Sequence, residues 1–439
     1  SPGKIEVERS VARIFHKLLN WRRDQLQRLG GGPNDIFVRK DDFVTLGKTL
    51  FKILDGTRIT PSFEMAYLEV KERPAQHCRL FLEFDESAAD LAVLPWEYLF
   101  YTDQRQGDFI AAQPLKRFHL IRGPYRSEDN PYRKAEEVLT RPARPLRLLV
   151  LIARPERAWQ FETQYMRKFF QQLAADHPDM LEVEILENTN RKELPRQLEN
   201  LQAQGWQPDM LHFLGHGRIE GETGQIALVK RIEDPEDSYD APDWIYDYEF
   251  ANLLETFHPK PMLVFLQACY GAMVGDFKRQ SGAALQVLSK GVEMVVAIQN
   301  PIRRDIADHF AQLFYQYLLE GDDVAEAVTK GRTELAMRLH EAIGADAFQQ
   351  FGHKAFGSPV IFSNIYERLI PWHQPERERA GVDRPTSDRR ERRDGPLRRP
   401  GSTPVQNERG TSRADRPPMD SPSSPISPTQ PSDPDADRQ

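Results

Sequence analysis

Two short apolar runs, each ending in a cluster of small and polar residues, constrain this chain more than any other feature. One is Met262-Leu-Val-Phe-Leu266, followed by Gln267-Ala268-Cys269-Tyr270-Gly271. The other is Met210-Leu-His-Phe-Leu214, followed by Gly215-His216-Gly217. Such runs are too short for an ordinary helix and read as strands buried on both faces of a parallel sheet. The residues after each run suit a loop at the strand's carboxyl end, the edge where open α/β sheets place ligands and substrates. A Cys and a His on neighbouring strand ends have the makings of a nucleophile and its acid–base partner.

The surrounding pattern agrees. Strands are predicted at Leu146–Ile152, Leu181–Leu186, Met210–Leu214, Met262–Leu266 and Met294–Ile298. Helices are predicted between and after them, at Gln160–Ala174, Glu193–Ala203, Tyr248–Thr256, Ala283–Ser289 and Asp305–Leu319. This alternation predicts an α/β fold with a mainly parallel sheet flanked by helices. A last short strand is expected within Phe356–Phe362.

Three segments follow: an N-terminal α/β region over 1–141, a main domain over 145–365, and a tail over 366–439. In the first, helices are expected at Ile5–Leu29 and from Asp41-Asp42 to Leu54. Phe63–Glu72 and Cys78–Phe84 read as a strand hairpin, Pro95 as opening a short helix, and Phe109–Ile121 as a strand pair broken at Pro114. Gly47-Lys48-Thr49 is not a phosphate loop, because Asp42 stands where its first glycine belongs and no strand precedes it. The tail lacks aromatic residues beyond its start and is rich in Pro, Arg, Asp and Ser, so it is expected to be disordered. Its basic cluster, Arg389 to Arg399, reads as a solvated charge run.

A net charge of −7 gives no reason to expect direct nucleic-acid binding. Two cysteines make no disulfide framework and suit a reducing compartment. The absence of a long apolar run or a signal-peptide core predicts a cytoplasmic protein without a membrane span.

The chemistry follows from the two strand ends. A thiol attacks as its thiolate, which a nearby imidazolium favours. His216 would pair with Cys269 and protonate a leaving amine, while the backbone N–H groups of Gly217 and Cys269 would serve an oxyanion. His212 and His216 lack the helix and adjacent Glu of a metalloprotease motif, so no metal or other cofactor is expected here. His212 reads as structural.

The spacing and flanking residues resemble a known family. Gln-Ala-Cys-x-Gly with a His roughly 50 residues upstream is a caspase signature, and His216 precedes Cys269 by 53. The chain also resembles the CHAT domain, a caspase-like family, at Leu94-Pro-Trp-Glu-Tyr-Leu99, Leu211–Gly217, Leu266–Cys269, Gly291–Gln299, Phe314–Gly321 and Phe356-Gly-Ser-Pro359. The resemblance implies a clan of cysteine endopeptidases using a Cys–His dyad, with protein or peptide substrates. It also implies a role in bacterial defence, CRISPR-linked or otherwise antiphage. Tyr270 departs from the caspase pattern, which counts against cleavage after Asp.

The substrate pocket stays open. Gln267 matches a caspase pocket residue, Arg303 and Arg304 suit an acidic side chain, and Asp276 suits a basic one. The acidic stretch Glu233–Asp243 and the tail are candidate processing segments. The expectation is a latent cysteine endopeptidase switched on by a separate activator chain or by cleavage. The alternative is a non-catalytic caspase-like scaffold that binds protein partners.

Overall fold

The computed structural model describes residues 40–54, 59–84, 89–103, 107–124, 144–153, 163–188, 190–220, 223–230, 241–271, 282–346, 348, 352–366 and 368–371. The helix expected at 5–29 and the basic cluster of the tail lie outside them.

The strands in chain order are β1 (Cys78–Leu82), β2 (Phe100–Thr102), β3 (Gly107–Phe109), β4 (Phe118–Arg122), β5 (Leu146–Ile152), β6 (Leu181–Glu187) and β7 (Met210–Leu214). They continue with β8 (Gly217–Glu220), β9 (Thr223–Lys230), β10 (Ala241–Tyr246), β11 (Leu263–Gln267), β12 (Met294–Ile298) and β13 (Pro359–Ser363). Eight of them form the main sheet in the order β1-β4-β13-β12-β11-β7-β5-β6. Every neighbouring pair is parallel except β12 and β13. The fold is therefore α/β with a mainly parallel central sheet flanked by helices, as the alternation predicted.

The continuous apolar runs are explained by burial on both faces. In β5, Leu148, Val150 and Ile152 enter one core while Leu149 and Leu151 enter the other. In β11, Leu263 and Phe265 face the first core, and Val264 and Leu266 face the second. The first core is covered by helices including Lys40–Leu54, Ile59–Glu72, Thr163–Asp176, Arg304–Leu319 and Val324–Met337. The second is covered by Glu193–Ala203, Asp247–Leu253 and Ala283–Ser289. Residues on both sides of 141–145 share this sheet and the first core.

Three expectations need correction. Phe63–Glu72 is not a strand but part of the helix Ile59–Glu72. Its buried residues, Phe63, Tyr67 and Val70, recur at helical spacing, while Met65 is 69% exposed. Between Phe109 and Ile121 only β4 is a full strand, because Ile110–Ala112 forms a 3-10 turn. The packed chain also runs past 365: Leu369 is buried, and Arg368 bridges Asp323 and Glu326.

The segment Leu94–Leu99 is a structural anchor. Glu97 is fully buried, accepts from Arg122 Nε at 2.9 Å and from Gln299 Nε2 at 2.8 Å, and lies 4.0 Å from Arg332 Nη2. Gly47, the glycine of the false phosphate-loop match, sits in a helix against this segment, where a Cβ would meet Tyr98 O at 2.1 Å. Among the described residues no helix is long and apolar enough to cross a membrane.

Candidate active site

The parallel pairing of β7 with β11 sets the site. Gln267 lies opposite Leu214 in the register, and Gly215 N donates to Gln267 O at 3.2 Å. Two residues on, Gly217 packs directly against the Cys269 backbone: a Cβ there would lie 2.2 Å from Cys269 O. Only glycine fits that approach. His216 is thus held between two residues that each touch the Cys269 loop. Its carbonyl accepts from Ala227 N at 3.0 Å, tying it to β9 of a small antiparallel sheet, β10-β9-β8.

After β11 the chain turns sharply. Ala268 O accepts from Gly271 N at 3.0 Å, which places Cys269 and Tyr270 at the centre of a tight turn. Tyr270 has φ 63°, the left-handed region that a type II turn requires at its third position. For a residue with a Cβ this conformation costs about 1–2 kcal/mol. The far side of the turn is anchored through Ala284 N, which donates to Gly271 O at 3.0 Å. The buried Asp247 carboxylate further accepts from the N–H groups of Gly282 at 2.7 Å and Gly224 at 3.3 Å.

Burial dominates the electrostatics of the pair. It pushes the Cys269 thiol above its ordinary value, against the smaller pull of the Ile302 N–H, the Lys354 ammonium and the N–H of Cys269 itself. Burial also depresses His216 to about 4, and the nearby Arg304 guanidinium adds to the effect. At neutral pH the two groups are a thiol and a neutral imidazole.

Lys354 arrives from a distant stretch for a topological reason. Because β13 runs antiparallel to β12, its start lies at the carboxyl end of β12, with Ile298 opposite Pro359. The turn Gly352–Gly357 therefore delivers Lys354 to the edge that holds Cys269. Sequence reasoning missed it, since nothing local marks the direction of β13.

A polar relay runs beneath the site. Gln267 Nε2 donates to Asp308 Oδ1 at 2.6 Å, which leaves Gln267 Oε1 to accept from His212 Nε2 at 3.0 Å. His212 Nδ1 then accepts from the Tyr315 hydroxyl at 3.1 Å, and Arg304 Nε donates to Asp308 Oδ2 at 3.2 Å. The chain of contacts connects the core to the cation beside His216. His212 is structural, as expected, and stacks on Phe265 in the first core.

The expected pocket residues take different places. Gln267 is buried with its amide engaged at both ends. Arg303 is exposed and paired with Asp305 at 2.6 Å, whereas Arg304 pairs with Asp308 and its charge acts on His216. Asp276 lies outside the described residues, as does most of the acidic stretch, whose end forms β10.

The model of the CHAT domain family matches residues 44–376. The chain belongs to the CHAT-domain family. No curated protein matches it. Among solved structures it is similar to separase in the Saccharomyces cerevisiae separase–securin complex, at 15% identity and TM-score 0.37, covering 81% of this chain. The CHAT-domain chain spans 22% of the length of that separase. It is also similar to the Drosophila initiator caspase Dronc, at 11% identity and TM-score 0.33, over 53% of this chain and 84% of that one. For caspase-1 from Spodoptera frugiperda the values are 14% and 0.35, over 58% and 97%.

Proposed function

We propose that this CHAT-domain chain is a cysteine endopeptidase, with Cys269 as nucleophile and His216 as general base and acid. The observation that supports the reading is the contact of Gly217 with the Cys269 backbone, at the ends of the paired strands β7 and β11 that His216 and Cys269 follow. His216 takes the thiol proton, and Sγ attacks the carbonyl carbon of the scissile peptide bond. The resulting oxyanion is met by the N–H groups of Gly217 and Cys269. Residues 216 and 227 form the hydrogen-bonded pair of the β8–β9 ladder, so the Gly217 N–H is directed away from β9. The C–N bond breaks as His216 passes its proton to the leaving amine. Water, deprotonated by His216, then hydrolyses the thioester and restores the thiol.

The neutral state of both groups supports latency. A buried thiol above its ordinary pKa is a poor nucleophile until the site is rearranged. A separate protein chain or a proteolytic cut is the proposed trigger, and the place in bacterial antiphage defence rests on family resemblance. Arg304 beside His216 and Lys354 beside Cys269 favour substrates with an acidic side chain near the scissile bond.

A peptidyl acyloxymethyl ketone set, varied at the residue before the cleaved bond, tests the assignment by intact mass. Labelling of Cys269 that disappears in His216→Ala supports it. Labelling of Cys269 in His216→Ala as complete as that of a labelled wild type removes the dyad.

A further inference from the structure

Away from this site, His77, His119 and Glu326 bring three ligand atoms together, no two further apart than 4.8 Å. They come from the residue before β1, from β4 and from the first turn of the helix Val324–Met337. Nothing in the sequence announces the group, because its members lie 42 and 207 residues apart.

Hydrogen bonding fixes where the lone pairs point. The Thr329 hydroxyl has one proton, which it donates to Ala325 O at 2.8 Å. It therefore accepts from His119 Nδ1 at 2.9 Å, which leaves His119 Nε2 without a proton. That Nε2 lies 2.9 Å from His77 Nδ1, which is itself 3.3 Å from Glu326 Oε1. One proton on His77 Nδ1 thus faces an imidazole lone pair and a carboxylate oxygen. A ligating His characteristically donates its other ring N–H to an orienting group, and Thr329 plays that part for His119.

We propose that His77, His119 and Glu326 form a binding site for a divalent transition-metal ion, with Zn²⁺ the best match to two imidazoles and a carboxylate. The ion replaces the shared proton as what these lone pairs bind, and His77 carries its proton on Nε2 instead. Donors at zinc distances lie about 3.3 Å apart in a tetrahedron. The His77–Glu326 contact already has that length, and the His77–His119 contact opens by about 0.4 Å. His77 is exposed, so solvent supplies the fourth ligand. Arg368 bonds both Glu326 oxygens at 2.8 and 2.9 Å, Glu326 Oε2 accepts from Asp323 N at 3.2 Å, and Asp323 pairs with Arg79 and Arg368. These contacts hold the carboxylate in place, and the two guanidiniums moderate the affinity. The bound ion ties the β1–β4 edge of the sheet to the helix that follows Asp323.

The test is Co²⁺ and Zn²⁺ titration of the full chain carrying Cys269→Ala, so that the active-site thiol contributes nothing. The expected result is one ion per chain, with the visible bands of tetrahedral Co²⁺, no sulfur-to-cobalt charge transfer, and a metal-dependent rise in Tm. All three are lost in His77→Gln, a substitution at an exposed residue, and in Glu326→Gln. No stoichiometric binding overturns the site, as does binding that survives His77→Gln with the same spectrum.

Discussion

The backbone of Gly217 lies against that of Cys269 so closely that a Cβ at 217 would come within 2.2 Å of the Cys269 carbonyl oxygen. Backbone contacts cannot yield as a flexible side chain would. Gly217→Ala is therefore expected to displace the Cys269 turn and lower kcat/KM by about 100-fold or more, the scale of losing one oxyanion donor. Steady-state kinetics on the activated protein, with near-native circular dichroism as control, checks this. Retained activity would contradict the close approach.

Cys269 should resist alkylation at neutral pH. Its thiol is raised by burial, so at pH 7 it carries less thiolate than a free cysteine. Iodoacetamide labelling followed by peptide mass spectrometry should be slower than for glutathione at pH 7 and climb through pH 9. An activator that rearranges the site should speed labelling at constant pH.

Acid should destabilise the fold through its buried histidines. His212 is depressed to about 3 and His216 to about 4, so below pH ~6.5 the unfolded chain binds protons that the folded chain refuses. Each contributes stability that is present above pH ~6.5 and is lost as pH falls toward the folded value, at up to about 1.4 kcal/mol per pH unit. In urea unfolding between pH 6 and 4.5, His216→Gln should show a shallower dependence by about that slope. Identical slopes would mean that His216 is not held neutral.

Glu97 should matter for stability rather than chemistry. Glu97→Ala leaves the buried Arg122 and Arg332 without their carboxylate. Removing one partner from such a buried group costs roughly 3–5 kcal/mol. Chemical denaturation reads the loss directly.

Gln267→Ala should cost about 2–4 kcal/mol, because it strips hydrogen-bond partners from both His212 and Asp308. It should also reduce turnover by loosening Arg304 through Asp308. A variant with wild-type stability would show that the relay contributes nothing.

The strands that carry the site were legible because β7, β11 and β12 are buried on both faces, so their apolar runs are unbroken. Ile59–Glu72 was not, because exposed Met65 and Leu68 interleave with buried Phe63 and Tyr67 and blur the helical period. The helix Val324–Met337 was hidden differently: Thr329, Arg332 and Thr333 are polar yet fully buried, so its core face does not look apolar. The placement of His216 and Cys269 just after paired strands could be read from those runs. Lys354 could not, since its place depends on the antiparallel β13. Nor could the inward use of Gln267, which depends on Asp308 from a later helix.

The central claim is that Cys269 and His216 cleave peptide bonds. The most direct test incubates wild type, Cys269→Ala and His216→Ala with a diverse peptide library, with and without candidate activator proteins, and identifies products by mass spectrometry. The account predicts cleavage by wild type alone, stimulated by an activator and enriched for acidic residues beside the cut. Cleavage that persists in Cys269→Ala, or none by wild type under any condition while Cys269 stays unlabelled by peptidyl probes, would contradict it.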